Sequence, residues 1–423
     1  MGWEQIMTAQ QSADIAVPAH IPAERVWNNT LESYAREMED PYLAISRLHD
    51  ESPDIIWLPH GFRGAPAWVL TRHALIREAF LNPELFSSSK NADVAELLGV
   101  SWKLNPLEFD PPEHHMYRHL LQPSFSPTEV EKLSSMVGAV CNQLVSKFEA
   151  AGCCEFIAEF ATPFPSQIFL SLMGLPVENL EQFVAWENAF FRGENITLRV
   201  QAARAILDYL DKFLADRKKN PQDDLASQII MSEIQGRPIN DDEVMGIVYN
   251  FYLGGLDTVL STSGWIMQHL AKDQVLQNRL RENPSDIAQA VEELLRAYGV
   301  TQTRRVATQD FEFHGVEIRR GEQIMLPTFL AGRDPKAYDN PHTVDIDRKA
   351  RHLTFAVGTH NCLGIHLARR ELRLVIETFL SKFKNIRIPE GERIRYHTEA
   401  GKLFAASLGL AFYSLRKSIT TNF

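Results

Sequence analysis

Apolar residues recur at three- and four-residue intervals through most of this chain, and two-residue alternation is confined to short runs. Trp27 to Asp50 has helical spacing and leads through Asp40-Pro41. Ile55 to Leu58 and Ala67 to Thr71 are short apolar runs split by the turn at Gly61 to Pro66, which predicts a hairpin. Helical spacing returns over Arg72 to Leu81. Ser87 to Pro112 has no period, and loops of that length are usually functional or mobile. Asp110-Pro111-Pro112-Glu113 then starts a helix, because proline suits a first turn and an acid complements it. From Pro127 to Arg217 helix follows helix, with breaks near Gly152, Pro163 to Pro165, Gly174 to Pro176 and Arg192 to Asn195.

The longest helical pattern runs from Asp241 to Lys272, behind an Asn240/Glu243 capping-box signature. At 1.5 Å per residue it would span about 48 Å. Gly254-Gly255 falls in its middle, and each glycine costs about 1 kcal/mol relative to alanine. A kink, or a group packed against bare backbone, is expected there. Pro284 to Gly299 predicts another helix, Arg304 to Leu326 a small sheet, Arg333 to Lys349 a meander and Ile394 to Leu415 further strands. The expected fold class is mainly α, a large helical domain with a small β-rich region. Residues 1–20 are expected to be a flexible tail and 21–423 a single domain.

Composition narrows the function. Apolar residues make up 45% and charged residues 23%, enough for a large core. The net charge of −11 argues against nucleic acid or an anionic membrane as the main partner. Four cysteines, two of them adjacent, form no disulfide framework and fit a reducing compartment. The N-terminal segment has no apolar run resembling a signal peptide, and no stretch of about 20 apolar residues exists. A cytoplasmic protein without a membrane span is the expectation.

The candidate chemistry centres on Phe355 to Glu371, FAVGTHNCLGIHLARRE. A loop bearing Gly358 and Gly364 delivers Cys362 to the start of a helix whose apolar face includes Leu367, Leu372, Val375, Ile376 and Phe379. A helix N-terminus favours a thiolate, so Cys362 is a candidate nucleophile or metal ligand; a small buried hydrophobe is the competing reading. His360 and His366 lie near but do not complete a zinc ligand set. Asp257-Thr258 follow the glycine pair. Thr258 either bonds back to Gly254 or faces a cavity. Glu293 and Arg296 lie three apart on one helix face and can pair.

The order and spacing of the Cys362 loop, Leu253-Gly-Gly-Leu-Asp-Thr-Val259 and Glu293-Leu-Leu-Arg296 resemble the cytochrome P-450 superfamily of haem-thiolate monooxygenases. Phe311-Glu-Phe-His-Gly-Val316 and His366-Leu-Ala-Arg-Arg-Glu371 are most similar to its bacterial camphor-hydroxylating subfamily. The resemblance implies haem b with Cys362 as proximal thiolate ligand, Gly364 hydrogen-bonding the sulfur and Phe355 packed beside it. It implies Arg118, Arg305, His360 and His114 as partners of the haem propionates. Glu293 and Arg296 would be a buried structural pair, with Arg348 a third member. Gly254 and Gly255 would admit O2 to the helix groove, Thr258 would steady the activated oxygen and Asp257 would relay protons.

The activity implied is hydroxylation of an unactivated C–H bond of a small apolar, terpenoid-like substrate, held by Trp102, Leu104, Asn250, Leu253, Thr301 and Leu403. Electrons would come from a two-iron ferredoxin and its NAD(P)H-dependent reductase, since the sequence shows no flavin or iron–sulfur segment. A monomer is expected. Arg118, Lys349, Arg369 and Arg370 would form a basic patch for that acidic donor. Several positions depart from the subfamily. Ala356 replaces a glycine. Trp102 stands where the camphor enzyme has a tyrosine bonding its ketone. Val184 and Asn188 replace charged lid positions, so lid salt bridges are expected to be missing.

Overall fold

The computed structural model describes residues 15–415, apart from 32, 34–39, 93, 194, 350, 393 and 400–401, and apart from the side chains of 63, 397–399 and 402–404. The expected 1–20 tail lies outside the described residues as far as residue 14, and so does 34–39 of the first helical pattern. The rest of that pattern forms Pro41–Ser46 and Leu48–Glu51.

The helices that carry the site are α1 (Glu113–Leu121), α2 (Pro127–Ser146), α3 (Pro163–Met173), α4 (Leu180–Arg192) and α5 (Ile196–Lys219). They continue as α6 (Asp241–Gly255), α7 (Asp257–Lys272), α8 (Ile287–Ala297) and α9 (Ile365–Lys382). Local chemistry fixes several ends. Pro127 opens α2 behind Ser126, whose hydroxyl accepts from the Glu129 N–H. Asn240 and Glu243 form the full reciprocal capping box at the start of α6, with both bonds at 2.9 Å.

The apolar stripes of α2, α3, α7, α8 and α9 meet in one core around Leu144, Phe160, Met267, Leu294 and Phe379. Full burial of a side chain such as Phe379 contributes about 2 kcal/mol. A second core joins α3 to α6 around Leu170, Phe183, Ile206 and Tyr252.

A five-stranded sheet flanks the helices: β1 (Ile55–Leu58), β2 (Ala67–Leu70), β3 (Phe86–Ser87), β4 (Gln302–Ala307) and β5 (Gln323–Pro327), in the order β1-β2-β5-β4-β3. The predicted hairpin is β1/β2, with Ile55 opposite Leu70. The Arg304 to Leu326 sheet region divides. Phe311–Phe313 and Val316–Ile318 pair separately across His314 and Gly315, both at positive φ, while β4 and β5 join the main sheet. Cys153–Glu155 is a strand where the pattern predicts only a helix break. Its partner, Gly409–Ser414, lies far along the chain, so no local signal marks it.

The Asp241 to Lys272 pattern is right in extent and wrong in continuity. It breaks at Leu256, which has φ −95° and ψ −71°, directly after the glycine pair. A Cβ built on Gly254 or Gly255 meets nothing within 4 Å, because both face open space. The two glycines thus expose bare backbone to a cavity at the helix break.

Candidate active site

One cavity of about 330 Å³ gathers much of the predicted chemistry. Cys362, Phe355, His360 and Gly364 line it from the loop before α9, His114 and Arg118 from α1, and Asn250, Gly254, Gly255 and Thr258 from the broken helix.

The cysteine loop is closed on itself. The Cys362 N–H donates to Phe355 O (2.9 Å), and Asn361 Nδ2 donates to Phe355 O (3.2 Å) and Ala356 O (3.1 Å). Gly358 sits at φ +74°, and a Cβ there would press on Phe80 O at 3.0 Å. Ala356 also has positive φ, at 54°, without glycine's freedom. The Ala356→Gly variant should therefore unfold at higher denaturant, gaining about 1 kcal/mol; an unchanged midpoint would show that the loop bears no strain there.

Burial pushes the Cys362 thiol up, against the Gly364 N–H and the charges of Arg118 and Arg369, which favour the thiolate. The helix-terminus argument alone therefore does not deprotonate this sulfur, and a bound cation would have to complete the task. Cys141 and Cys154 are buried in the core with their thiols also pushed up, and Cys153 is exposed on a strand. Phe355 lies under the Arg369 guanidinium, 5.1 Å from it.

Two arginines and two neutral histidines cluster at the loop. The His114 and His360 rings are 4.4 Å apart. Burial, with Arg118 beside it, holds His114 down at about 4; burial, Arg305 and His114 hold His360 at about 2. Burial also lowers Arg305, to about 10. His114 Nδ1 and His360 Nε2 are enclosed without a partner, and the Arg118 guanidinium makes no hydrogen bond or ion pair among the described residues. Such a group of donors lacks anions. Two carboxylates of a ligand that also meets Cys362 would supply them, so the residues fit a haem with its propionates.

Arg305 stands behind this cluster without lining the cavity. It is buried, donates to Arg304 O (2.9 Å) and lies 5.4 Å from the Phe80 ring.

The substrate set is only partly brought together. Asn250 and Thr301 line the cavity. Trp102, Leu104 and Leu253 do not. Trp102 is buried against Tyr249 at 5.4 Å, Leu104 is 1% exposed in the second core, and Leu253 packs on that same core. Apolar pattern marks burial and not direction, and here burial turned them into the core. The side chain of Leu403 lies outside the described residues.

Asp257 and Thr258 point different ways. The Thr258 hydroxyl donates to Gly254 O (2.8 Å) at the cavity wall. Asp257 is buried, off the cavity, and paired with Arg192 Nη2 of α4 at 2.7 Å. This corrects the expectation of missing lid salt bridges: Arg192 ties α4 to the broken helix from a position 65 residues away in sequence. The basic patch is corrected too. Arg369 is held by both oxygens of Glu292 at 2.7 Å, and Arg370 by Ser134 (2.7 Å) and Glu131 (3.0 Å). Only Lys349 of the four is an exposed cation without such a partner.

Glu293 and Arg296 are joined by two 2.8 Å bonds with neither side chain exposed. Arg348 adds a third contact at 3.2 Å. Glu371, unassigned from sequence beyond its motif, also lines the cavity, and burial pushes its carboxyl up to about 8. Its one legible signal was an acid four residues after Leu367, beside the apolar face.

A mainly helical fold whose cavity joins a loop cysteine, an unsatisfied cluster of arginine and histidine donors and a glycine-gapped helix defines a haem-thiolate protein. The cytochrome P450 family profile matches residues 177–406. A probable cytochrome P450 127A1 of Sinorhizobium fredii is 38% identical over 355 residues, covering 83% of this chain and 85% of that one. The structures of CYP101C1 (TM-score 0.86) and CYP101J2 (0.85) are each 29% identical, covering 94% of this chain and 100% and 99% of theirs. The chain belongs to the cytochrome P450 family of haem monooxygenases, oxidoreductases that bind haem b through a cysteine thiolate.

Proposed function

We propose that residues 21–423 form one haem domain that hydroxylates an unactivated C–H bond of a small, largely apolar, terpenoid-like molecule. The observation that carries this reading is that one cavity is shared by Cys362, the arginine and histidine donors and the Gly254–Thr258 groove. Residues such as Leu107, Val259, Leu295 and Val300 give it apolar walls.

Cys362 Sγ would hold the iron, with the Gly364 N–H bonded to the sulfur to tune its donor strength. Arg118, His114 and His360 would bind the propionates, with Arg305 adding positive charge from behind. When bound, the haem supplies the O2-activating redox chemistry. Thr258 would hold its hydroxyl at the groove beside Gly254, where a proton is needed. Asp257 would hold and pass a proton once freed from Arg192, which makes the α4 contact a gate on that step. Asn250 and Thr301 would orient substrate.

Likeness to the camphor-type enzymes supports a two-iron ferredoxin with its NAD(P)H-dependent reductase as donor. The ion-paired state of Arg369 and Arg370 argues for a docking face with little free positive charge. No helix among the described residues is long and apolar enough to cross a membrane. A cytoplasmic monomer accords with this reading.

The reduced holoprotein under carbon monoxide should show the red-shifted Soret band of a thiolate complex, and Cys362→Ser should lose it. Retention of the band in that variant would place the ligand elsewhere. With ferredoxin, reductase and NADH, Thr258→Ala should consume electrons with several-fold less product per electron; unchanged coupling would remove its assigned role.

A further inference from the structure

The hydroxyl hydrogens of the cavity wall are almost all spent. Thr258 donates to Gly254 O (2.8 Å), Thr262 to Thr258 O (2.7 Å) and Thr354 to Leu295 O (2.7 Å). Thr328 Oγ1 donates to Thr301 O at 2.7 Å, a bond that can run only one way because a carbonyl has no hydrogen. Thr301 Oγ1 lies 3.0 Å from Thr328 Oγ1. Since the Thr328 hydrogen is already committed, the Thr301 hydrogen must go to Thr328. Thr301 Oγ1 is then left with lone pairs and no hydrogen for a ligand. Thr303 keeps a hydrogen, but its oxygen is enclosed within the protein.

Across the cavity, Asn250 Nδ2 donates to Asn105 O (3.1 Å), which fixes the amide orientation. Asn105 is itself held to α6 by its own Nδ2 bond to Glu243 O (3.1 Å). Asn250 therefore presents both a free Oδ1 and one remaining N–H hydrogen, so it can serve an alcohol or a ketone alike and leaves the discrimination to Thr301. The other donors of the cavity, Arg118, His114, His360 and neutral Glu371, belong to α1, α9 and the loop at the cysteine end. Trp102, whose indole could have donated, is turned into the core.

We infer that this site selects a substrate that donates a hydrogen bond to Thr301 Oγ1, a terpenoid-class alcohol in preference to the matching ketone. The inference rests on the small-terpenoid reading given above. A ketone could take the Thr301 hydrogen only by breaking the Thr301–Thr328 bond, an exchange with little net gain. An alcohol adds a bond without breaking one, worth roughly five- to tenfold in affinity.

The test is a spectral binding titration of the haem-loaded protein with borneol and camphor, an alcohol and a ketone on one carbon skeleton. Wild type should bind borneol about five- to tenfold tighter. Thr301→Val should abolish the preference by weakening only borneol. Thr328→Val keeps the backbone bond from Thr328 N to Thr301 O (3.0 Å) but frees the Thr301 hydrogen, so camphor should tighten and the preference should fall away or reverse. Equal or camphor-favouring binding by wild type would overturn the inference alone, as would a ratio unmoved by Thr328→Val. Binding of neither compound would overturn the terpenoid reading and the inference with it.

Discussion

Glu293→Ala should lower the unfolding stability of the haem-loaded protein by about 3–5 kcal/mol, a large share of the roughly 5–15 kcal/mol that a folded domain commands. The carboxylate accepts two bonds from Arg296, one from Arg348 and one from the Asp345 N–H at 3.0 Å. Arg296 would keep its bonds to Gly332 O (2.6 Å), Pro341 O (2.8 Å) and Thr343 O (3.0 Å), but its charge would be buried with no counter-charge on Glu293. Those carbonyls belong to the meander that leads to the cysteine loop, so haem retention should fall together with the denaturant midpoint. Glu317→Ala, which removes an exposed pair with Arg319, should cost only about 0.5 kcal/mol. Similar midpoints for the two variants would show that the buried pair carries no special weight.

The second large effect concerns pH. Glu371 is 3% exposed and has no ion-pair or hydrogen-bond partner among the described residues, so burial alone raises its carboxyl from 4.5 to about 8. Between those values the folded chain holds a proton that the unfolded chain releases. The contribution of this group is therefore full below pH 4.5 and is lost as pH rises through about 8, at about 1.4 kcal/mol per unit. Across the interval the loss is on the order of 5 kcal/mol. Glu371→Gln cannot ionise. It should match wild type near pH 5, exceed it at pH 8 and remove this part of the slope. Superimposable stability curves would show that Glu371 ionises normally in the folded protein.

These two acids differ in how far sequence reasoning reached them. Glu293 and Arg296 are three residues apart, and helical geometry alone makes them neighbours. What made the pair buried was the packing of α8 against the meander, which brought Gly332, Pro341 and Thr343 onto Arg296. Glu371 could be placed beside the apolar face of α9, but its missing partner is a property of everything around it. The same division runs through the site. Asn240/Glu243 capped α6 as expected, because a cap needs only neighbouring residues. The glycine pair foretold an irregular helix but not the break at Leu256.

Residues distant in sequence were the harder part. Arg192 reaches Asp257 across 65 positions, and Arg369 reaches Glu292 across 77. The first turned a proposed proton relay into a latched one, and the second neutralised half of an expected basic patch with help from Glu131. Trp102 and Leu104 had the right character to line a pocket. Their direction was settled by Tyr249 and the second core.

The sequence by itself determined the helical class, the cysteine loop, the glycine-gapped helix and the family resemblance, because caps, periodicity and motif spacing act between neighbours along the chain. Only the tertiary structure decided which donors meet Cys362 in one cavity, which charges are cancelled, and where each hydroxyl hydrogen goes. Those outcomes depend on burial and on contacts between distant residues, and neither is written in any single stretch of the chain.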